Sequence, residues 1–148
     1  MKKERLFPYW TDLKRVIPIA QTQSVNNFAL TLVSIETYAV YGFLLTVNVE
    51  AKGQSSATER SGRGWTRASI VDQNRKEYTS LLATISGVLY GSSLFRGRAV
   101  MICMPPLADQ ATEVLITIDS IEWEFTDDDA ALPASEVVQG PWVFHVSL

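Results

Sequence analysis

Hydrophobic and polar residues alternate along much of this chain, and the alternation is clearest between Asn27 and Glu50. In the second half of this stretch every other position is apolar. A repeat of two residues is the side-chain repeat of a β-strand, so the pattern predicts a strand with one face directed to a core. The residues on that face are Tyr41, Phe43, Leu45, Val47 and Val49.

The first half of the stretch predicts a second strand that contains an irregularity. Phe28, Leu30 and Leu32 alternate in the same way, but the phase changes after Val33, and Ile35 is the next inward apolar residue. A change of phase inside one strand is typical of a β-bulge. The two halves together predict an antiparallel hairpin, against which the other strands are expected to pack.

Further short strands are predicted on both sides of this hairpin. Pro18 lacks a backbone donor and therefore predicts an edge position for the first strand. The residues 84–93 mix glycine with apolar side chains and leave a loop and a weak strand as alternatives. The remaining strands are predicted over Arg15–Val25, Ala68–Asp72, Glu77–Leu82, Phe95–Met104, Glu113–Phe125 and Pro141–Leu148.

The turns and the closing strand complete the prediction of an antiparallel β-sandwich. Asn26 and Asn27 tolerate positive φ angles and predict a tight turn. About seven or eight short strands, with no segment of helical period, indicate an all-β sandwich rather than an α/β fold. In the closing strand we expect His145 to face outward, while an inward face is formed by Trp142, Phe144, Val146 and Leu148.

Composition fits one domain of this kind. The chain has 148 residues, of which 47% are hydrophobic and 20% charged, so it is long enough for one sizeable core. We interpret residues 1–14 as an arm that docks through its aromatic residues, and residues 15–148 as a single β-sandwich domain. The net charge of −3 implies no general attraction to nucleic acid or to anionic membranes.

The sequence also bears on location. Its longest apolar runs are of strand length, well short of the roughly 20 residues that a membrane-spanning helix needs. The charged first residues are not followed by an apolar run of signal-peptide length. The expectation is a cytoplasmic protein, or an extracytoplasmic one if the chain is a piece of a membrane-anchored protein.

Few residues are suited to catalysis. The chain contains one cysteine, Cys103, in an apolar run that predicts a buried strand, and one histidine, His145. A hydrolytic triad needs a nucleophile, a base and an orienting group, and no GxSxG sequence occurs. A zinc site of histidine and cysteine ligands needs several such residues. These observations favour a non-catalytic protein.

Two loops carry the candidate sites. The first is acidic and offers hard oxygen ligands for calcium, although a solvated acidic loop is the simpler interpretation. Its members are Glu124, Asp127, Asp128 and Asp129. The second lies in Lys52–Arg67, a Gly- and Ser-rich stretch predicted to be a long loop, where arginines beside a tryptophan suit a protein partner or, less well, single-stranded nucleic acid. Its members are Arg60, Arg63, Trp65 and Arg67.

The order of four sequence features resembles the immunoglobulin-like β-sandwich domains of bacterial anti-sigma-factor and related cell-envelope proteins. These features are the strand pair in Gln21–Glu50, the aspartate, polar turn and tyrosine in Ile70–Tyr78, the MPPL motif at Met104–Leu107 and the closing GPWVFHVSL at Gly140–Leu148. The glycine usual in the family's polar turn is absent here. The resemblance implies a sensory, interaction or spacer module and supplies no catalytic residues.

The combined expectation is a non-catalytic binding or structural module of a bacterial envelope or regulatory system. We expect it to bind a protein partner and to need no cofactor. The alternative is a β-sandwich protein that binds calcium or carbohydrate. In that case calcium would be held by the acidic loop.

Overall fold

The computed structural model describes residues 12–52, 62–90, 94–125 and 135–148. Within these ranges the chain forms ten strands, and every pairing between them is antiparallel. The strands are β1 (Leu13–Val25), β2 (Phe28–Tyr38), β3 (Phe43–Lys52), β4 (Gly62–Thr66), β5 (Ser69–Asp72), β6 (Glu77–Ser80), β7 (Ala83–Tyr90), β8 (Leu94–Met104), β9 (Glu113–Phe125) and β10 (Ser135–Ser147). The predicted all-β, sandwich-like class is confirmed.

Two long strands connect the whole sheet. One edge of β8 pairs with β3, and its other edge pairs with β7 and then with β6. In the same way, one edge of β9 pairs with β10, and its other edge pairs with β5 and then with β4. The short strands β4–β7 therefore join β8 to β9. The sheet turns back on itself until β1 lies beside β10, and the inward faces meet in one core.

Most of the side chains that the alternation predicts to face inward form the core, but Tyr41, in the bend before β3, and Leu148 are only half-buried. The exposed fraction is at most 3% for every one of the residues Phe43, Leu45, Val47, Val49, Trp142, Phe144 and Val146. The indole Nε1 of Trp142 donates a hydrogen bond to the carbonyl of Phe28 (3.1 Å), which joins β10 to the start of β2. The central prediction of the sequence, in which these two inward faces pack together, is confirmed.

The predicted irregularities are also present. The register of β2 against β3 shifts between Leu32 and Ser34, and Ile35 is fully buried, as the change of phase indicates. Asn26 and Asn27 have φ angles of 49° and 66° in the turn between β1 and β2. β1 pairs with β2 and with no other described strand, in agreement with the edge position predicted from Pro18.

The ten strands exceed the predicted seven or eight because β4 was not predicted and the residues of β7 were left between a loop and a weak strand. β4 lies inside the stretch predicted to be a long loop, and β7 occupies most of the ambiguous stretch. Both contain glycine, which lowers strand propensity, yet each is hydrogen-bonded on both sides, so tertiary pairing overrides propensity. No helix among the described residues is long and apolar enough to span a membrane.

Asp72 holds the turn between β5 and β6. Its Oδ1 accepts hydrogen bonds from the backbone N–H groups of Asn74 (2.9 Å) and Lys76 (3.0 Å), and its Oδ2 accepts one from the Tyr78 hydroxyl (3.0 Å). The Tyr78 oxygen in turn accepts from the backbone N–H of Ala108 (3.1 Å). This carboxylate therefore connects a hairpin to the loop that follows β8.

The same contacts determine how Asp72 titrates. Burial acts to raise the pKa of Asp72, but the hydrogen bonds from Lys76, Tyr78 and Asn74 outweigh it, so the pKa is below its usual value. A lowered pKa in the folded state stabilises the fold above the unfolded-state pKa. That stabilisation is lost as the pH falls through the folded-state pKa.

We therefore expect Asp72→Asn to flatten the acid limb of the stability profile. The unfolding free energy of the wild type should fall as the pH drops below about 4, whereas the variant should be less stable at neutral pH and change less with acid. Urea unfolding between neutral pH and pH 3 measures this. Asp119→Asn, at an exposed position of β9, is the control and should follow the wild type. Parallel curves for Asp72→Asn and the wild type would contradict the prediction.

Gly42 is required where the β2–β3 hairpin meets the end of β8. Its φ angle is +131°, which side chains rarely tolerate, and its carbonyl accepts a hydrogen bond from Tyr38 N–H (2.9 Å). A Cβ at this position would collide with the backbone carbonyl of Cys103. The obstacle is backbone of the neighbouring strand, so a small side-chain movement cannot remove it.

Gly42→Ala should consequently destabilise the protein by about 2–4 kcal/mol, the sum of an unfavourable φ and an overpacked contact. Chemical denaturation of the wild type and the variant measures the difference. Val40→Ala lies in the same hairpin, where the valine is 66% exposed. As the control it should change stability by less than about 0.5 kcal/mol. Equal losses for the two variants would be inconsistent with the backbone clash.

Candidate functional site

The described part of the second predicted loop lies on and beside β4. Gly64 and Thr66 are buried, so the alternation of the strand directs Arg63 and Trp65 outward. Arg63 and Arg67 are exposed, and Trp65 is half-buried. Arg60 lies outside the described residues. The structure thus brings the two residues Arg63 and Trp65 together on one outward face of the sheet.

The sheet register places acidic residues directly beside them. Arg63 is opposite Glu124, and Trp65 is opposite Glu122 on one side and Thr84 on the other. Directly opposite side chains in an antiparallel pair have Cβ atoms about 4.5–5.5 Å apart. The arginine assigned to a partner site and the glutamate assigned to a calcium site are therefore neighbours on adjacent strands.

This arrangement bears on the calcium hypothesis. Of its four residues, Glu124 is described, whereas Asp127, Asp128 and Asp129 lie outside the described residues. Glu124 is exposed and has the guanidinium-bearing Arg63 as its cross-strand neighbour, an unfavourable setting for a second cation. Among the described residues, no group of three or more His, Cys, Asp or Glu side chains could hold a metal ion.

The same outward row continues beyond β9. Val137 of β10 is opposite Glu122 and is 52% exposed. We call this surface the β4 face. Its central tryptophan has polar and charged neighbours, and an exposed valine lies at one side. It consists of Arg63, Trp65, Thr84, Glu122, Glu124 and Val137.

The backbone under the β4 face is held firmly. Gly64 lies against the indole of Trp123, where a Cβ would come within 2.9 Å of the ring. The hydroxyl of Thr66 donates to the carbonyl of Ser120 (3.0 Å) and so ties β4 to β9. β4 is also paired along both edges, with β7 and with β9. Trp65 is therefore presented from a fixed strand.

A separate cleft contains the single histidine. It lies on the outside of β5, β9 and β10 and has a volume of about 290 Å³. His145 is exposed there, as its outward position in the closing strand predicts. The other polar residues of the cleft could not be identified from local sequence, because strand pairing brings them together. They include Gln73, Glu113 and Ser147, the last two being directly opposite each other.

The chemistry available in this cleft is limited by how its groups are held. Gln73 is fully engaged, since its Oε1 accepts from the N–H groups of Thr112 and Glu113 and its Nε2 donates to Gln110. The hydrogen bond recorded at His145 is made by its backbone carbonyl, which accepts from Gln21 (2.7 Å), and not by the imidazole. The cleft therefore has no assembled nucleophile–base pair among its described residues.

The single cysteine lies elsewhere. Cys103 is fully buried, as predicted, and burial raises the pKa of its thiol to about 12. A thiol with so high a pKa carries almost no thiolate at neutral pH, and the thiolate is the nucleophilic form. Cys103 is accordingly an apolar core residue.

No protein-family model, curated protein or solved structure matches this chain. The resemblance to immunoglobulin-like domains of bacterial envelope proteins thus remains a prediction from the sequence.

The neighbouring positions of Arg63 and Glu124 lead to a measurable coupling. The single variants Arg63→Ala and Glu124→Ala and the double variant form a cycle. The coupling energy should be about 0.2–1 kcal/mol at low salt and should shrink near 1 M NaCl, because exposed charges are screened. Urea unfolding at neutral pH measures all four proteins.

The control cycle combines Arg63→Ala with Glu113→Ala, a glutamate at the opposite end of β9. Because the two sites share no partner, their effects should add to within about 0.5 kcal/mol. Absence of a coupling between Arg63 and Glu124 at low salt would show that the two side chains do not interact. A coupling that salt leaves unchanged would show that the interaction is not one between exposed charges.

Proposed function

We propose that this chain is a non-catalytic binding module that recognises another protein through the β4 face. The observation that supports this most directly is the position of Trp65. It lies half-exposed on a central strand, next to Arg63 on its own strand and Glu122 on the adjacent one. Tryptophan and arginine are enriched among the residues that carry most of the binding energy in protein interfaces.

The composition of the face favours a protein over other ligands. Arg63 has Glu124 as its neighbour and Glu122 lies beside Trp65, so the face offers charges of both signs rather than a concentrated positive field. A nucleic acid or an anionic membrane would need the latter. Charges of both signs around an aromatic residue select a partner with the complementary arrangement, which is a source of specificity in protein interfaces.

The rigidity of β4 also supports binding. A side chain already held in its bound position loses less conformational freedom on association, which leaves more of the contact energy as affinity. Trp65 lies on a strand paired along both edges, with a packed glycine beneath it. The proposal includes the immunoglobulin-like type and a role in a bacterial envelope or regulatory system. For these the support is the order of sequence features, together with the Asp72–Tyr78 bond in the second of them.

The test compares protein partners of the wild type and of a double variant, Arg63→Ala with Trp65→Ala. The wild-type chain should enrich a protein that the double variant does not enrich. In a titration with that protein in purified form, the Kd of the variant should rise about thirtyfold or more, which corresponds to about 2 kcal/mol for a central hot spot. Calorimetry or surface-based kinetics measures the change.

The matched control is Arg15→Ala with Val16→Ala, which also removes one arginine and one apolar side chain from an exposed strand. Val16 is 50% exposed on β1, outside the β4 face. This control should retain the wild-type partner and Kd. Identical partner profiles for the wild type and for Arg63→Ala with Trp65→Ala would overturn the proposal, provided that the variant unfolds at the same denaturant concentration as the wild type.

A further inference from the structure

A second exposed surface, more apolar than the β4 face, lies at the end of β8. Met101 and Cys103 are buried, so Ile102 and Met104 face outward. Of the surface's members, the exposed fractions are 40% for Met104, 50% for Leu81 and 54% for Leu82. Contiguous apolar side chains at a protein surface mark sites of interaction. We call this surface the β8 strip. It consists of Leu44, Leu81, Leu82, Ile102 and Met104.

Strand pairing makes the strip continuous. Leu44 of β3 is directly opposite Ile102. On the other side of β8, the backbone N–H of Leu81 donates to the carbonyl of Ile102 (2.9 Å). Thr79, which also points outward, is opposite Met104. The strip therefore crosses from β3 over β8 to the end of β6 without a break.

The described chain begins at the same end of the molecule. The carbonyl of Asp12 accepts a hydrogen bond from Ala39 N–H (3.1 Å), and Leu13 is opposite Tyr38. Both contacts lie at the β2–β3 hairpin, whose Gly42 lies against the carbonyl of Cys103 beside Met104. Residues that precede Asp12 are thus attached next to the strip.

The reach of the chain suits this surface. Only β2 and β3 lie between β1 and β8, so the lateral distance from Leu13 to Met104 is about three strand spacings, or about 14 Å. An extended chain covers about 3.3–3.6 Å per residue. From Asp12 back to Phe7, it can span about 17 Å, which is enough to bring Phe7 to Met104.

The composition of the preceding segment matches the strip. Residues 6–10 read LFPYW, which is five apolar or aromatic residues in succession. Pro8 disfavours a helical conformation of the residue before it and favours an extended one. Residues 1–11 lie outside the described part of the chain. We propose that this segment docks on the β8 strip of its own chain, with Leu6 and Phe7 reaching the exposed Met104 and residues 8–10 spanning the two strands between.

The tether supplies the physical reason for docking in cis. A short flexible connection keeps a segment at an effective concentration in the millimolar range near its site. At that effective concentration, even a contact of low intrinsic affinity is formed for a large fraction of the time. The proposal is independent of the β4 face, which uses other strands and other residues.

A pair of introduced cysteines tests this in the full chain. Phe7→Cys and Met104→Cys should form an intramolecular disulfide under mild oxidation of a dilute sample. The native thiol does not compete, because Cys103 is fully buried and its pKa is raised to about 12. Non-reducing electrophoresis over time gives the rate, and denaturation of the reduced variant verifies that it is folded.

Two control pairs determine whether the contact is specific. In the first control, Phe7→Cys is combined with Gln110→Cys, which is not part of the strip. This second thiol is within reach of the segment, because the adjacent Asp109 forms a salt bridge with Lys14 (3.2 Å). Phe7→Cys with Val137→Cys uses a position as exposed as Leu81, but near the far end of β1, roughly 40 Å from Leu13. The Met104 pair should form its disulfide at least about tenfold faster than either control.

Two results would overturn the proposal. Equal rates for the Met104 and Gln110 pairs would show that the segment samples its surroundings without docking on the strip. A disulfide that forms mainly between two chains, at a rate that rises with protein concentration, would show that the strip is covered by a second copy of the chain.

Discussion

The sheet is closed by the contact between β10 and the beginning of the chain, and this closure determines where every other face lies. Trp142 is fully buried and bonded to Phe28, and such a side chain contributes about 1.5–3 kcal/mol by leaving water. β1 and β10 lie side by side without a backbone ladder. Side chains connect them instead, through Gln21 to the carbonyl of His145 and Asn26 to that of Gln139. The two outermost strands therefore cover each other's edges, which would otherwise invite pairing with other chains.

Closure of the sheet also places the short strands at its centre. β8 and β9 are each long enough to hold one partner along one edge and two successive short partners along the other. The four short strands β4–β7 fill the space between these two long ones. Their outward faces are consequently central in the sheet rather than peripheral. The β4 face is centred on this part of the sheet, whereas the β8 strip borders it, on β3, on β8 and between β6 and β7.

Much of the fold could be predicted because side-chain direction within a strand is a local property. The inward residues of β3 and β10 follow from alternation alone, and the bounds of β9 agree with those predicted. β4 could not be predicted in this way. It holds two glycines in five residues, and its strand conformation depends on hydrogen bonds to β7 and β9. Because those bonds join segments that are distant in the sequence, local propensity does not predict them.

In the candidate site, the properties that follow from residue type could be predicted, whereas those that depend on strand pairing could not. That Arg63 and Trp65 are suited to binding could be inferred from residue type, and so could the acidity of Glu124. That Arg63 and Glu124 are neighbours could not, because cross-strand register depends on which distant segments pair. The polar turn gives a second example. Arg75 adopts a φ of 65° in that turn, although the segment contains no glycine that would indicate a left-handed residue.

The left-handed conformation of Arg75 is unfavourable for a residue with a Cβ, by about 1–2 kcal/mol. The turn is nevertheless maintained, because Asp72 accepts two backbone N–H groups from the residues on either side of Arg75 and a hydroxyl from Tyr78. Hydrogen bonds to a charged acceptor are stronger than those between neutral groups, so the three bonds to the carboxylate act against the unfavourable φ. The buried carboxylate of Asp72 therefore helps this turn to form with an arginine in the left-handed position.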